Sequence, residues 1–93
     1  MSKRKVEVIP SSSNIVSTTV LHTKITEVQE DFVIVEISGA KQLIPVYRFI
    51  KESDKANLFV GASVKLNYYY GDSSKKRLLA YNADLNWQLD NHK

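Results

Sequence analysis

Ninety-three residues, 43% apolar and 25% charged, describe one domain with a modest core, since a chain this short buries only about 60–65% of its unfolded surface. There is no cysteine, which excludes a disulfide framework and a thiolate zinc site and leaves the apolar core to hold the fold alone. The net charge of +3 suggests an anionic partner, but Lys3, Arg4 and Lys5 against Glu7 place +2 of it in residues 1–14, so residues 15–93 add only +1.

Residues 1–14 carry basic Lys3, Arg4 and Lys5, then Pro10 and the polar run Ser11, Ser12, Ser13 and Asn14, with no apolar period. They read as a flexible basic arm. The arm lacks the apolar stretch of a signal peptide, and nowhere does the chain approach the ~18 apolar residues of a membrane span. The expectation is an intracellular, soluble protein with no membrane contact.

Ile15 to Val28 is dense in β-branched residues, which lose rotamer freedom in a helix but suit a pleated surface. It is predicted as a long, bent first strand. Gln29, Glu30 and Asp31 form a polar turn, and Phe32 onward alternates with Val33, Val35 and Ile37 on one face, giving a second strand over about 32–38. Ser38 and Gly39 break it. A third strand is predicted near 42–49, with Pro45 at an edge, a bulge or a curve because proline lacks a ladder donor. Lys51 to Asn57 is poor in β-formers and suits a short helical insert.

After Gly61, Val64 and Leu66 alternate with Lys65 and Asn67 in a fourth strand over about 62–70. In this phase Tyr68 and Tyr70 turn inward, and Tyr69 turns outward with Lys65 and Asn67. Residues 77–85 form the fifth strand. Val33, Val35, Ile37, Ile44, Val46, Val64 and Leu66 share the inward phase and are the predicted core.

Five strands with one helical insert between the third and fourth predict an all-β, five-stranded OB-fold Greek-key barrel over residues 15–86. An SH3-like barrel is the competitor, and the long first strand, able to pair on both sides, argues against it. Residues 87–93 form a polar tail containing Trp87.

The run Ile25-Thr-Glu-Val-Gln-Glu-Asp-Phe-Val-Ile-Val-Glu-Ile-Ser-Gly-Ala-Lys-Gln-Leu-Ile-Pro-Val resembles the first half of an S1 RNA-binding domain. Leu58-Phe-Val-Gly-Ala-Ser-Val-Lys-Leu and Lys76-Arg-Leu-Leu resemble its second half, so the likeness spans roughly residues 18–85. Cold-shock domains are similar at Arg77 to Asn82. The resemblance implies single-stranded RNA binding, and its functional positions fall on Ile34, Leu43, Pro45 and Arg77. Only Arg77 keeps the family's residue type, because the S1 pattern has aromatics at the first two positions and a histidine at the third.

Two binding readings are open. Stacking platforms need exposed rings beside cations, and Tyr47 and Tyr69, with Lys65, Lys75, Lys76 and Arg77, supply both types for single-stranded RNA or DNA. Most of the tyrosines among Tyr47, Tyr68, Tyr69, Tyr70 and Tyr81 could instead fill the core with hydroxyls at its rim. Alternatively, Ile34 and Leu43, outward in the register that the S1 resemblance implies, make an aliphatic stripe and Trp87 needs a burial site, which suits a protein-interaction adaptor in a ribonucleoprotein or nucleic-acid-processing complex. A catalytic role has little to stand on: His22 and His92 lack a companion at metal-ligand spacing, and no phosphate-binding glycine loop occurs. The chain reads as a non-enzymatic module without cofactor or metal.

Overall fold

The structure, a computed structural model, describes residues 6–10, 15–71 and 77–86. Its elements are β1 (Ile15–Val28), β2 (Phe32–Ile37), β3 (Ala40–Pro45), a 3-10 turn at Val46–Arg48, α1 (Glu52–Lys55), β4 (Ser63–Gly71) and β5 (Arg77–Leu85). The strands form one antiparallel sheet in the order β3-β2-β1-β4-β5, so the fold is all-β.

β1 holds the sheet together because it is long enough to serve two neighbours. Its residues from Ile15 to Lys24 pair with β4, and those from Ile25 to Val28 pair with β2. The change of partner coincides with a register shift between Ile25 and Glu27, where an extra residue increases local twist and curls the sheet. The β2–β3 connection is a two-residue hairpin in which Ser38 and Gly39 both have positive φ, 52° and 82°. That is the type I′ geometry whose twist matches the strands it joins.

β3 is shorter than the sequence predicts, ending at Pro45 rather than near residue 49. It is an edge strand, so Pro45 costs no ladder bond there, and beyond it the chain tightens into the 3-10 turn. Val46, predicted as core, is only half-buried in that turn, and Ile37 is half-buried against the core's margin. Val33, Val35, Ile44, Val64 and Leu66 are fully buried as their phase requires, joined by Ile25, Phe49, Ala62, Ala83 and Leu85.

The curl brings the two sheet edges together where Phe49 bridges Ala83 in parallel. Beside this contact α1 is pinned to β5: Asp54 is fully buried, and its Oδ2 accepts the Leu85 amide at 3.1 Å. Gly61, at φ 96°, occupies the third position of the Phe59–Ala62 turn and places its amide 2.8 Å from the Ile25 carbonyl. A side chain there would strain the backbone.

Candidate nucleic-acid interface

An exposed sheet edge leaves a row of unpaired amides and carbonyls, and β5 deals with its free side in three ways. Phe49 covers the Ala83 end. Val6 to Val8, which the sequence groups with the arm, lie along the middle: Glu7 bridges Ala80 in parallel, donating to the Leu79 carbonyl at 3.2 Å and accepting from the Tyr81 amide at 3.0 Å. Arg48 joins these two pieces.

The Arg48 side chain reaches into the seam between the sheet edges and is only 7% exposed. Its Nη1 donates to the carbonyls of Glu7 at 2.9 Å and Tyr81 at 3.1 Å, and its Nη2 donates to the carbonyl of Val6 at 3.3 Å. The guanidinium lies 3.9 Å from the centre of the Tyr81 ring and 5.2 Å from that of Tyr47. Behind Tyr81, Tyr68 stacks at 5.4 Å with ring planes 19° apart. Burial first, then like-charge repulsion from the neighbouring phenol oxygens of Tyr81 and Tyr70, raise the Tyr68 hydroxyl pKa above its ordinary value, against a hydrogen bond with Gln42 that lowers it.

Asn67 departs from its predicted outward, solvated position: it lies on the Lys65 face but is buried. Its Nδ2 donates to Asn82 Oδ1 at 3.0 Å and to Asp84 Oδ2 at 3.2 Å, while Asn82 Nδ2 donates to the Val8 carbonyl at 2.8 Å. Residues after Glu7 therefore cover this part of the outer face. The periodicity of β4 alone could not show that, because the covering segment lies about sixty residues away in sequence.

The candidate ligand-contacting residues separate into two groups. Arg77 is exposed at the start of β5, opposite Gly71. Tyr47 is 59% exposed beside Arg48, and Tyr69 is half-buried opposite Ala80, in the same row as Glu7. These three stand around the Val6–Val8 segment. Lys65 does not join them: it lies in a row between His22 and Asp84, four residues along β4 from Tyr69. Lys75, Lys76 and Trp87 lie outside the described residues.

Ile34 and Leu43 are direct cross-strand partners on the face opposite the core, and Leu43 is 49% exposed. Phe32 and Pro45 pair next to them, so four apolar side chains form one block. Carboxylates surround it: Glu27 partners Ile34 from β1, Glu36 follows on β2 opposite Lys41, and Glu30 and Asp31 precede Phe32. The register implied by the S1 resemblance put Ile34 and Leu43 outward but did not join Phe32 and Pro45 to them, which the hairpin register does.

Arg48 was not singled out by the sequence. A lone arginine after an apolar run has no signature, and its burial depends on backbone carbonyls more than thirty residues away. A shallow depression lined by His22, Thr23, Lys24, Ser63 and Val64 lies on the β1–β4 surface, apart from the seam. Among the described residues no three His, Cys, Asp or Glu side chains gather as metal ligands, and no helix is long and apolar enough to cross a membrane. The chain matches no protein-family model, no curated protein and no solved structure with which it was compared.

Proposed function

We propose that the chain is a non-enzymatic binding module of the OB type that takes single-stranded nucleic acid, RNA foremost, at the end of the seam marked by Arg77. Support for the OB reading comes from the order β3-β2-β1-β4-β5, the two-sided pairing of β1 and the parallel Phe49–Ala83 contact that brings the edges together. An S1-like or cold-shock-like ancestry is part of this proposal.

One observation carries the choice of ligand. Glu7 faces Ala80 in parallel, so Val6 faces Leu79 and stands two residues along β5 from Arg77. The tripeptide Lys3-Arg4-Lys5 joins the fold at Val6, and Lys75-Lys76 joins it at Arg77. Two basic segments some seventy residues apart in sequence thus have neighbouring attachment points, whereas residues 15–71 balance six Lys and Arg against six Asp and Glu. Phosphate contacts of this kind give sequence-independent, salt-sensitive affinity. Exposed Tyr47 beside the seam offers a ring on which a base can stack, worth about 1–3 kcal/mol.

Replacing Lys75, Lys76 and Arg77 by alanine tests the reading with short RNA and DNA oligomers. Affinity should fall, and the slope of log affinity against log salt should flatten by up to ~0.7 per lost phosphate contact. A wild-type protein with no salt-dependent oligonucleotide binding rejects it.

The Phe32, Ile34, Leu43 and Pro45 block favours a second reading, a protein adaptor. Its acidic surroundings repel phosphates and suit an apolar segment flanked by lysine or arginine. Loss of co-purification with a protein partner in Leu43→Asp, without oligonucleotide binding by the wild type, would make this the function.

A further inference from the structure

The seam holds a feature that binding alone does not require. Arg48 is buried, yet among the described residues its hydrogen bonds all go to backbone carbonyls and its Nε has no partner. Burying a cation is costly unless hydrogen bonds and nearby polarisable groups compensate. Here the compensation comes from three carbonyls and from the faces of Tyr81 and Tyr47. Two of the three carbonyls, those of Val6 and Glu7, belong to the N-terminal segment.

The next carbonyl of that segment, Val8, is bound by Asn82, which Asn67 orients from the other side. Three successive carbonyls are therefore gripped by two side chains of the barrel, and Glu7 adds a two-bond ladder to β5. No side chain of Val6, Glu7 or Val8 takes part in these bonds. The grip recognises extended backbone and fixes its register.

We infer that Arg48 is a positioning residue: with Asn82 it locks Val6–Val8 onto β5 and so sets where Lys3-Arg4-Lys5 leaves the fold beside Arg77. The inference deepens the nucleic-acid reading and rests on it for its functional consequence. Its structural half stands separately. Arg48 is too deeply buried to meet a phosphate itself, and it acts through the segment it holds. Lysine cannot replace it, because a single ammonium lacks the planar fork that reaches carbonyls on two chain segments and stacks on a ring.

The test uses the full chain carrying Arg48→Met, Arg48→Lys or Glu7→Pro. Glu7→Pro removes the donor to the Leu79 carbonyl while leaving every barrel residue in place. Amide hydrogen exchange reads the grip directly. Both Arg48 variants should lower protection at the Glu7 and Tyr81 amides by at least about tenfold, the loss of one charge-assisted hydrogen bond, while β4 amides stay protected.

Oligonucleotide affinity reads the consequence. Arg48→Met and Glu7→Pro should weaken binding equally, and alanine at Lys3, Arg4 and Lys5 should cost less in either background than in the wild type. Unchanged protection at Tyr81 in Arg48→Met overturns the inference. So does a loss of affinity in Arg48→Met that Glu7→Pro does not share, which would make Arg48 a direct ligand contact. If the wild type binds no oligonucleotide, the proposed function fails and the exchange data alone decide whether the grip exists.

Discussion

Phe49→Ala probes what closes the seam. Among the described residues Phe49 is the largest fully buried side chain, and it sits where the post-β3 chain meets Ala83 of β5. Removing its ring forfeits about 1.5–3 kcal/mol of transfer free energy. The cavity adds to this, because the ring is wedged between elements that cannot both move in, so the total should approach the ~3–5 kcal/mol typical of Phe→Ala in cores. A domain of this length has about 5–14 kcal/mol in all. With a urea m-value of ~1.5 kcal/mol per M, the midpoint should fall by about 2–3 M. Phe49→Leu keeps most of the volume and should cost less than ~1.5 kcal/mol, giving a folded variant for comparison. Tyr47→Ala, two residues earlier and 59% exposed, should lose only the cation–π contact with Arg48 and cost about 0.5–1 kcal/mol. Equal costs for Phe49→Ala and Tyr47→Ala would refute the placement of Phe49 in the seam.

Asp54→Ala should destabilise by about 1–3 kcal/mol, because the Leu85 amide would lose a buried acceptor, whereas Asp54→Asn keeps an acceptor and should cost less. Faster exchange at Leu85 in the alanine variant alone would identify the bond responsible. The raised Tyr68 pKa has a pH consequence whose sign is determined: the unfolded chain loses this proton near pH 10, before the folded one does. Stability from this group is intact below pH 10 and declines as pH rises from there through the higher folded value. Urea midpoints at pH 9 and pH 11 should therefore differ more in the wild type than in Tyr68→Phe, and equal differences would count against burial of the hydroxyl.

Local pattern determined much of this protein. Alternation placed Val33, Val35, Ile44, Val64 and Leu66 inward, the β-branched run predicted a long first strand, and Ser38-Gly39 marked the end of the second, all within a few residues of chain. The outward placing of Ile34 and Leu43 came from the register that the S1 resemblance implies, and their pairing across the hairpin from the structure.

Contacts across large sequence separations were decided only in three dimensions. The end of β3 at Pro45 depends on how the chain must turn to reach β5, and the burial of Arg48, Asn67 and Asn82 depends on a segment near the N-terminus. In sequence, Val6-Glu7-Val8 is three residues beside a polar run, without period or turn signal, and its place comes from backbone groups that β5 leaves unpaired. Side-chain patterns announce which face a residue prefers, but an unpaired backbone edge accepts any extended segment that can reach it. Which segment arrives is settled by the curl of the sheet, and with it the nearness of Val6 to Arg77 along β5.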